Sequence, residues 1–437
     1  MRVPLSITRA YRPDWGLWEG VRELVQNAKD AETEFEAPFS VTHTGSKLLI
    51  MNEGCELSHR ALLLGETTKA DRDDLIGRWG DGLKIGVLAL IRSGHPVTIK
   101  SGDEIWHPSI EPAPEYDGAE VLTFNIRKSR MFRRNVEVEI DNIDKATWLV
   151  LAKRFRFLPG EQYANVVKTY NGSLLLDEPG MLYVKGIFVE RVSNMEYGYD
   201  FNDVELDIDR RTVQSWSRDS ACRQLFERAM RERPELVNDL YRMVLAGSKD
   251  IQGYRYHSFD CEDARESLKE MWTKEHGPDT IPVANEDATV ELEHLGVKGV
   301  VVGQLAADFF GSIVGSADEK CKELQFATKE VFDPDSIPEG GTLLEAMCIL
   351  ENAGHPVDLK YLEVVDFKDS RQRGLYDSGT IKISRARICE GVSATIATLA
   401  HELAHGMPGS HDANLQKILE DVIRSLLASP PSGNGAN

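Results

Sequence analysis

The sequence predicts an α+β protein of several domains. Its 437 residues exceed the ~150 residues of an average domain. Helix-like and strand-like segments alternate over residues 1–150, strand-like segments return at 165–215, and a helical stretch follows at 219–275. Such alternation predicts a sheet with helices packed on one side. We expect domains at 1–150, 151–285 and 286–428, with a disordered Pro- and Gly-rich tail at 429–437.

Hydrophobic spacing predicts the elements of the first domain. Apolar residues recur at helical spacing within 15–32, at Trp18, Val21, Leu24 and Val25. Short β-rich segments predict strands, and an apolar segment after a glycine-rich loop predicts a second helix. These strands are Lys47–Met51, Val97–Ser101 and Glu120–Ile126, and the helix is Leu83–Arg92.

The second half of the chain shows fewer regular signals. Prolines and acidic residues at His276–Asp287 predict a linker. Strand signals at Leu359–Phe367 and Thr380–Ser384, separated by a polar turn, precede a predicted helix at Ala394–Gly406. We expect a separate C-terminal domain around this strand pair and helix.

The composition excludes several functional classes. The chain has 51 Lys+Arg against 71 Asp+Glu, a net charge of −20, which disfavours general nucleic-acid binding. No apolar run approaches the ~18 residues of a membrane span, and the N-terminus lacks the apolar core of an export signal. Scattered cysteines indicate reduced thiols. We expect a cytoplasmic protein without membrane contact. One basic run indicates a solvated face, at Arg127, Lys128, Arg130, Arg133 and Arg134.

Three polar residues share one face of the first predicted helix. Glu23, Asn27 and Asp30 lie at positions i, i+4 and i+7. An Asn amide oxygen can hold a hydrated Mg²⁺ ion, while a nearby Glu polarises a water for in-line attack. A solvated helix surface gives the same pattern, so this face alone leaves both interpretations open.

Two glycine-bearing segments follow this face. Glycine lets backbone N–H groups approach phosphate oxygens, and a helix N-terminus adds positive potential. The segments are Asn52-Glu-Gly54 at a strand end and Gly77-Arg-Trp-Gly80-Asp-Gly82-Leu-Lys84 at a helix start. In this order, the three segments resemble the Bergerat nucleotide-binding domain of the GHKL ATPases, with the glycine-rich segment most similar to the MORC version.

The resemblance implies an ATP site with Mg²⁺. It makes Glu23 the general base, Asn27 the Mg²⁺ ligand and Asp30 a pocket residue. In the family pattern D-x-G-x-G, Asn52 replaces the Asp and Glu56 the second Gly, which leaves adenine selectivity open. Gly54 matches the first Gly of that pattern. The resemblance also implies a lid hinge at Gly77, Gly80 and Gly82 and a phosphate contact at Lys84. It implies an adenine-pocket threonine at Thr123. It also implies a γ-phosphate contact from a transducer-like region, at Lys185, Arg210 or Arg211. The alternative for Thr123 is a plain strand position. The alternative for Lys185, Arg210 and Arg211 is surface ion pairing.

A second motif lies near the C-terminus, in His401-Glu402-Leu-Ala-His405. Two histidines at i and i+4 project from one helical face, so they can share one metal ion. Glu402 stands beside them and can take a proton from water. Core or surface histidines on a helix are the alternative interpretation.

The chain after this motif offers a third ligand. Pro408 and Gly409 end the helix and turn the chain back, so His411 can reach the metal. Asp412 and Glu420 are the alternative third ligands. Over residues 340–428 the pattern resembles the zincin metalloproteases of the WLM and SprT-like, metzincin-like type. A Pro at position 408 replaces the family's glycine, which leaves the third ligand open.

The zincin resemblance implies Zn²⁺ held by His401, His405 and His411, with Glu402 catalytic. It also implies that Thr380–Ser384 is the edge strand that pairs with an extended peptide substrate. Together the two resemblances imply a GHKL ATPase fused to a zinc-dependent endopeptidase. Nucleotide state would gate cleavage of a protein or peptide, and ATP would favour a homodimer. The alternative is a GHKL chaperone or conformational switch with a structural or vestigial zinc site. A DNA-associated repair role is disfavoured by the net charge of −20.

Overall fold

The computed structural model describes residues 1–64, 75–76, 81–159, 165–204, 215–334 and 336–428. The chain divides into two compact units, Met1–Ala221 and Cys222–Asn437. Each unit contains helices and strands, so the predicted mixed α/β, multidomain class is confirmed. The division between the units lies inside a helix, and the finer predicted boundaries at 150 and 285 stay predictions.

The first unit is built around one long central strand. Strand β5 pairs antiparallel with β1, β3 and β4, and β2 pairs antiparallel with β3. Two helices pack on this sheet and bury Val21, Val25 and Leu88 against Trp106 and Phe124. The elements are β1 (Arg2–Thr8), α1 (Leu17–Phe35), β2 (Phe39–Thr44), β3 (Lys47–Glu53), α2 (Gly82–Arg92), β4 (Val97–Ala113), β5 (Ala119–Ile140) and α3 (Lys145–Ala152).

Helices α1 and α2 cross closely at a glycine. A Cβ at Gly20 would lie 2.5 Å from Leu90 Cγ and 2.9 Å from the Gly86 carbonyl oxygen. The carbonyl is part of the α2 backbone, so it cannot yield without moving the helix. The absence of a side chain at position 20 therefore sets the distance between the two helices that carry the first predicted site.

We expect Gly20→Ala to lower the free energy of unfolding by about 1–3 kcal/mol, because the added methyl group overpacks the helix crossing. Urea unfolding measures this change. The matched control is Gly341→Ala, which is also helical and whose Cβ would have no heavy atom within 4 Å. Because Ala favours a helix over Gly, the control should be neutral or stabilising by up to about 1 kcal/mol. Equal stability of the two variants would contradict the close crossing.

A second sheet completes the first unit. Its strand order is β6-β7-β10-β8-β9, with β8 and β10 parallel and the other neighbours antiparallel. The β8–β9 turn contains Lys185 and Gly186, with φ of 51° and 76°. Two left-handed residues form the tight hairpin turn that projects the Lys185 side chain. The strands are β6 (Val166–Thr169), β7 (Gly172–Leu175), β8 (Met181–Val184), β9 (Ile187–Arg191) and β10 (Gly198–Phe201).

The predicted linker at 276–287 is wrong, because this stretch contains a buried strand. Strand β11 (Thr280–Val283) pairs in parallel with β12 (Lys298–Val301), and all four β11 residues are buried. Trp272 donates its indole N–H to Thr280 Oγ1 at 3.0 Å. The neighbouring helices are α4 (Ser215–Glu232), α5 (Leu236–Ala246), α6 (Glu262–His276), α7 (Glu286–His294), α8 (Gln304–Val314) and α9 (Ala317–Leu324).

The C-terminal part forms a mixed sheet covered by helices. The strand order is β13-β14-β16-β15, with β14 and β16 parallel. Strand β16 (Thr380–Ser384) is therefore internal, and the prediction that it is an edge strand is wrong. The edge on this side of the sheet is β15 (Gly374–Asp377), which joins β16 by a tight hairpin. The other elements are β13 (Thr328–Phe332), α10 (Gly340–Asn352), β14 (Leu362–Phe367), α11 (Arg385–Cys389), α12 (Val392–Gly406) and α13 (His411–Ala428).

Two further findings bear on the sequence predictions. The six cysteines lie in described segments, and each is a free thiol. Within the described ranges, none of the helices combines the length and apolarity needed to cross a bilayer.

Candidate functional site

Three imidazoles converge where α12 ends. His401 and His405 lie one turn apart on α12, and His411 is the first residue of α13. The Nε2 atoms of His401 and His405 are 3.2 Å apart. One ring nitrogen from each of the three residues lies within 4.8 Å of the others. The structure therefore brings the predicted ligands together.

A turn between the two helices places His411. Gly409 has a φ of 110°, in the region that favours glycine. The Asn414 side chain donates from Nδ2 to the carbonyl oxygens of Met407 at 3.3 Å and Pro408 at 3.4 Å. This amide ties the first turn of α13 to the end of α12, so the turn holds His411 over the α12 pair.

The environment of His411 fits a metal ligand. Its Nε2 atom is buried and has no hydrogen-bond partner within the described segments. Its Nδ1 atom lies 3.1 Å from Asp412 Oδ1. A buried, unpaired ring nitrogen is costly, and a carboxylate on the other nitrogen is the usual orienting partner of a metal-bound histidine. Three imidazoles suit Zn²⁺. The alternative ligands Asp412 and Glu420 are not in the cluster found among the described residues.

Burial shifts the pKa values of two groups at this site. The pKa of His401 is lowered, first by partial burial and then by the neighbouring imidazoles of His411 and His405. A lowered pKa favours the neutral imidazole that metal ligation requires. Glu402 is 6% exposed. Its burial raises the pKa of the carboxyl group, while a hydrogen bond from the Tyr376 backbone N–H opposes that rise.

Edge strand β15 packs directly on Glu402. A Cβ at Gly374 would lie 2.5 Å from Glu402 Oε1 and 2.7 Å from Thr398 Cγ2. The strand backbone therefore approaches α12 as closely as a residue without a side chain allows. The absence of a side chain at Gly374 therefore leaves the space that the Glu402 carboxylate occupies.

In the first unit, the carboxylate of Glu23 lies at the start of α2. Glu23 is 6% exposed, and its Oε1 accepts a hydrogen bond from Arg22 Nη2 at 2.8 Å. A Cβ at Gly82, the first residue of α2, would overlap Glu23 Oε2. Gly82 therefore leaves room for the carboxylate at a helix N-terminus, where the helix dipole is positive.

The other polar residues of α1 reach the neighbouring segments. Asp30, 1% exposed, accepts a hydrogen bond from the Ile76 backbone N–H at 2.6 Å. Asn52 donates from Nδ2 to the Ala28 carbonyl at 2.8 Å, so its amide oxygen is the atom left to accept from a ligand. Asn27 is partly exposed. Gly54 follows β3 with a φ of 76°. The structure thus brings the first two predicted segments together.

Lys84 points into the protein. Its side chain is fully buried, and Nζ donates to the Leu63 carbonyl at 2.6 Å and pairs with Asp81 at 3.2 Å. Burial lowers the pKa of this ammonium group, and Asp81 opposes that change. A phosphate contact by Lys84 would have to replace these bonds.

Thr123 does not join the predicted pocket. It lies on β5 opposite Ser109, whereas Asn52 lies opposite Val136 of the same strand. The β4 residues opposite these two positions are Ser109 and Ser101, eight residues apart (109 − 101), about 26 Å along an extended strand. Its buried hydroxyl has no hydrogen-bond partner in the described part of the chain. The predicted strand position is observed, but the structure does not bring Thr123 to Asn52.

Lys185 contacts the chain two residues before the glycine-rich segment. Its Nζ donates to the Leu75 carbonyl at 2.9 Å. It also lines a cavity of about 540 Å³ together with Lys29, Arg156 and Lys168. The acidic side chain on this wall is Asp200, and burial raises the pKa of its carboxyl group. The cavity is therefore basic. The other predicted contacts lie outside the described residues, namely Gly77, Gly80, Arg210 and Arg211.

Comparison with solved structures gives a partial likeness. The chain is similar to the ATPase region of Saccharomyces cerevisiae topoisomerase II, with 12% identity and a TM-score of 0.28 over 43% of this chain and 69% of that one. The same region bound to ICRF-187 (dexrazoxane) gives 12% identity and a TM-score of 0.27 over 40% and 62%. This chain therefore spans less than two thirds of the drug-bound structure. No protein-family model and no curated protein matches the sequence. Both TM-scores are low, so the support for each site is the geometry described above.

Three contacts in the C-terminal site come from residues that the sequence analysis does not single out. They are the close approach of Gly374, the backbone N–H of Tyr376 and the side chain of Asn414. The sequence contains a local signal for the strand that carries Gly374 and Tyr376. Ser378 and Gly379 have φ of 48° and 97° and join β15 to β16 as a two-residue hairpin. A Ser-Gly turn before a predicted strand indicates a preceding partner strand.

Proposed function

We propose that this chain is a GHKL-type ATP-binding and ATP-hydrolysing protein that carries a zinc-dependent endopeptidase site, and that the nucleotide state gates cleavage. One observation carries the proposal. One ring nitrogen from each of three imidazoles lies within 4.8 Å of the others, His411 has a buried and unpaired Nε2 atom, and the buried carboxylate of Glu402 is beside them. This combination matches the needs of metal-assisted hydrolysis.

His401, His405 and His411 would hold the metal ion. Zinc bound by three protein ligands supplies Lewis acidity and makes a bound water more acidic. The chain itself supplies the proton acceptor. Glu402 is buried next to the cluster, and its raised pKa suits it to accept a proton from water and to pass it to a leaving amine.

The substrate of this site would be an extended polypeptide. Strand β15 is one of the two edge strands of the C-terminal sheet and lies on α12 beside Glu402. An extended peptide can add to such an edge through backbone hydrogen bonds, which places a peptide carbonyl near the histidine cluster. This role belongs to β15 and not to the internal strand β16.

We expect Gly374→Ala to lower the peptidase rate by about 10- to 100-fold while leaving the metal content unchanged. The new Cβ would lie 2.5 Å from Glu402 Oε1, so it displaces the carboxylate, and misplacement by an ångström is enough for such a loss. Peptide cleavage and bound-metal analysis measure the two effects. Gly341→Ala is the control, since a Cβ there meets no heavy atom. A Gly374→Ala protein with the wild-type rate would contradict the proposed role of the edge strand.

The first unit would bind ATP with Mg²⁺. Glu23 would be the general base and Asn27 the Mg²⁺ ligand, with Asp30, Asn52, Gly54, Gly77, Gly80 and Gly82 around the nucleotide. Lys185 would reach a phosphate from the basic cavity. The support is the position of the Glu23 carboxylate beside Gly82 at a helix N-terminus. The proposed gating follows from the presence of both sites on one chain, and the proposed ATP-dependent homodimer follows from the GHKL resemblance.

The alternative function, a chaperone or switch with a structural zinc site, has less support. Structural zinc sites usually have four protein ligands and are closed to solvent. The cluster identified in the described segments has three ligands, and His401 and His405 are exposed. This arrangement leaves a coordination position for water or substrate, as catalytic sites do.

Three measurements on the full-length protein test the proposal. We expect about one zinc ion per chain, cleavage of unfolded casein that a chelator abolishes and zinc restores, and a cleavage rate that changes when ATP and Mg²⁺ are added. A folded protein without metal that still cleaves casein would exclude the zinc mechanism. Identical cleavage with and without nucleotide would exclude gating but leave the peptidase intact.

A further inference from the structure

Strand β5 carries a bulge that projects from the first sheet. On the paired strand β4, Gly102 lies opposite Arg133 and Glu104 lies opposite Lys128. These partners are five residues apart on β5 (133 − 128) and two apart on β4 (104 − 102), so β5 holds three additional residues. Extra residues in one strand must leave the plane of the sheet. We call residues 127–134 the β5 bulge.

Local hydrogen bonds order the tip of the bulge. Ser129 Oγ accepts from the Met131 backbone N–H at 3.1 Å and from Arg133 Nη1 at 3.3 Å. The tip carries two large apolar side chains that face water. Met131 is 62% exposed and Phe132 is 60% exposed. Two adjacent, exposed apolar residues on a protruding tip have no role in the core of the sheet.

Cations surround these apolar side chains. Lys128 pairs with Asp103 at 2.8 Å and Arg133 reaches Glu137 at 3.9 Å. The remaining three arginines are exposed, and no carboxylate pairs with them in the described ranges. They are Arg127, Arg130 and Arg134. The chain as a whole has a net charge of −20, whereas this projection carries three unpaired positive charges. Such a local positive charge favours binding to an anionic partner.

We propose that the β5 bulge docks the protein on an anionic lipid surface. Met131 and Phe132 enter the boundary between headgroups and acyl chains, and the three unpaired arginines contact the acidic headgroups. The rest of the acidic protein does not prevent this contact, because salt screens charges over about 8 Å at physiological ionic strength. Such docking needs no membrane-spanning helix, so it replaces the sequence prediction of no membrane contact.

A lipid partner explains the tip better than a nucleic acid does. Single-stranded nucleic acid is held by planar aromatic side chains on which successive bases stack. The bulge offers one aromatic ring, Phe132, beside the flexible thioether of Met131. A methionine side chain has no planar face for a base but fits readily among acyl chains.

The test is co-sedimentation of the full-length protein with vesicles of phosphatidylcholine, with and without phosphatidylserine. We expect binding only to the acidic vesicles and weaker binding in high salt. The variant Arg127→Gln/Arg130→Gln/Arg134→Gln should bind about 100-fold more weakly. Met131→Ser/Phe132→Ser should lose at least about tenfold even in low salt, because its charge is unchanged and only the apolar contact is lost.

Matched variants control for charge and for exposed apolar residues elsewhere. Lys145→Gln/Lys153→Gln/Lys322→Gln removes the same charge, and Leu149→Ser/Val150→Ser removes side chains that are 53% and 61% exposed. Both should bind like wild type, and thermal unfolding should show every variant to be folded.

Four results would overturn the proposal. The first three are equal binding to neutral vesicles, bulge variants that bind acidic vesicles like wild type, and salt-sensitive binding to an oligonucleotide without vesicle binding. A concentration-dependent dimer that Met131→Ser/Phe132→Ser abolishes would assign the tip to a second copy of the chain and would equally exclude the lipid surface.

Discussion

Glu402→Gln is expected to keep the zinc content of the protein while lowering its peptidase rate by about 10²- to 10⁴-fold, the usual contribution of a positioned acid–base group. Gln has the shape of Glu and fits the same space beside Gly374. It cannot accept a proton from water. Bound-metal analysis and cleavage of unfolded casein, measured on the same preparation, separate ligation from proton transfer.

Two further variants serve as controls for this experiment. Glu420→Gln removes a carboxylate of α13 that is hydrogen-bonded to Gln416 and lies outside the histidine cluster, so it should change neither metal content nor rate. His405→Ala should lose the metal and the activity together. If Glu402→Gln cleaves casein at the wild-type rate, the proposed proton acceptor is wrong even if zinc is bound.

Local spacing was sufficient to predict the helix that carries the C-terminal site. The segment predicted as Ala394–Gly406 is observed as Val392–Gly406. Two histidines at i and i+4 must share a face once that helix forms, since the geometry is a property of the helix alone. The same holds for α1, where Glu23 and Asp30 follow the predicted periodicity and both are buried.

Contacts between distant segments were not predictable in the same way. Gly374 meets Glu402 only because β15 pairs with β16 in one register, and a four-residue strand shows too little alternation to specify that register. The buried strand β11 was missed for a related reason. Pro278 before the strand, Pro282 within it and the flanking acidic residues indicate a loop, whereas tertiary burial of Ile281 and Val283 makes it a strand.

A motif fixes the identity of a residue but not the direction of its side chain. Lys84 stands where a phosphate contact is expected, yet its ammonium group bonds the Leu63 carbonyl, 21 residues earlier. Thr123 has the expected residue type, but the β5 register separates it from Asn52. In both cases a long-range partner that leaves no local signal in the sequence determines the placement.

Glu23→Gln is expected to lower ATP hydrolysis by about 10²- to 10⁴-fold and to leave ATP binding intact, so nucleotide should remain bound. The reason is the position of the carboxylate. It is buried beside the first residue of α2, in the space that Gly82 leaves free. Phosphate release in steady state measures hydrolysis, and equilibrium binding of a fluorescent ATP analogue measures affinity.

The ion pair with Arg22 makes a second readout necessary. Glu23 Oε1 accepts from Arg22 Nη2 at 2.8 Å, and both side chains are buried. Removing one partner of such a pair can cost about 3–5 kcal/mol of stability, because the other charge stays buried. Urea unfolding therefore accompanies the assay, and Glu53→Gln, an exposed carboxylate at the end of β3, is the control. A stable Glu23→Gln protein that hydrolyses ATP like wild type would exclude Glu23 as the base. A stable protein that no longer binds ATP would instead assign Glu23 to nucleotide binding.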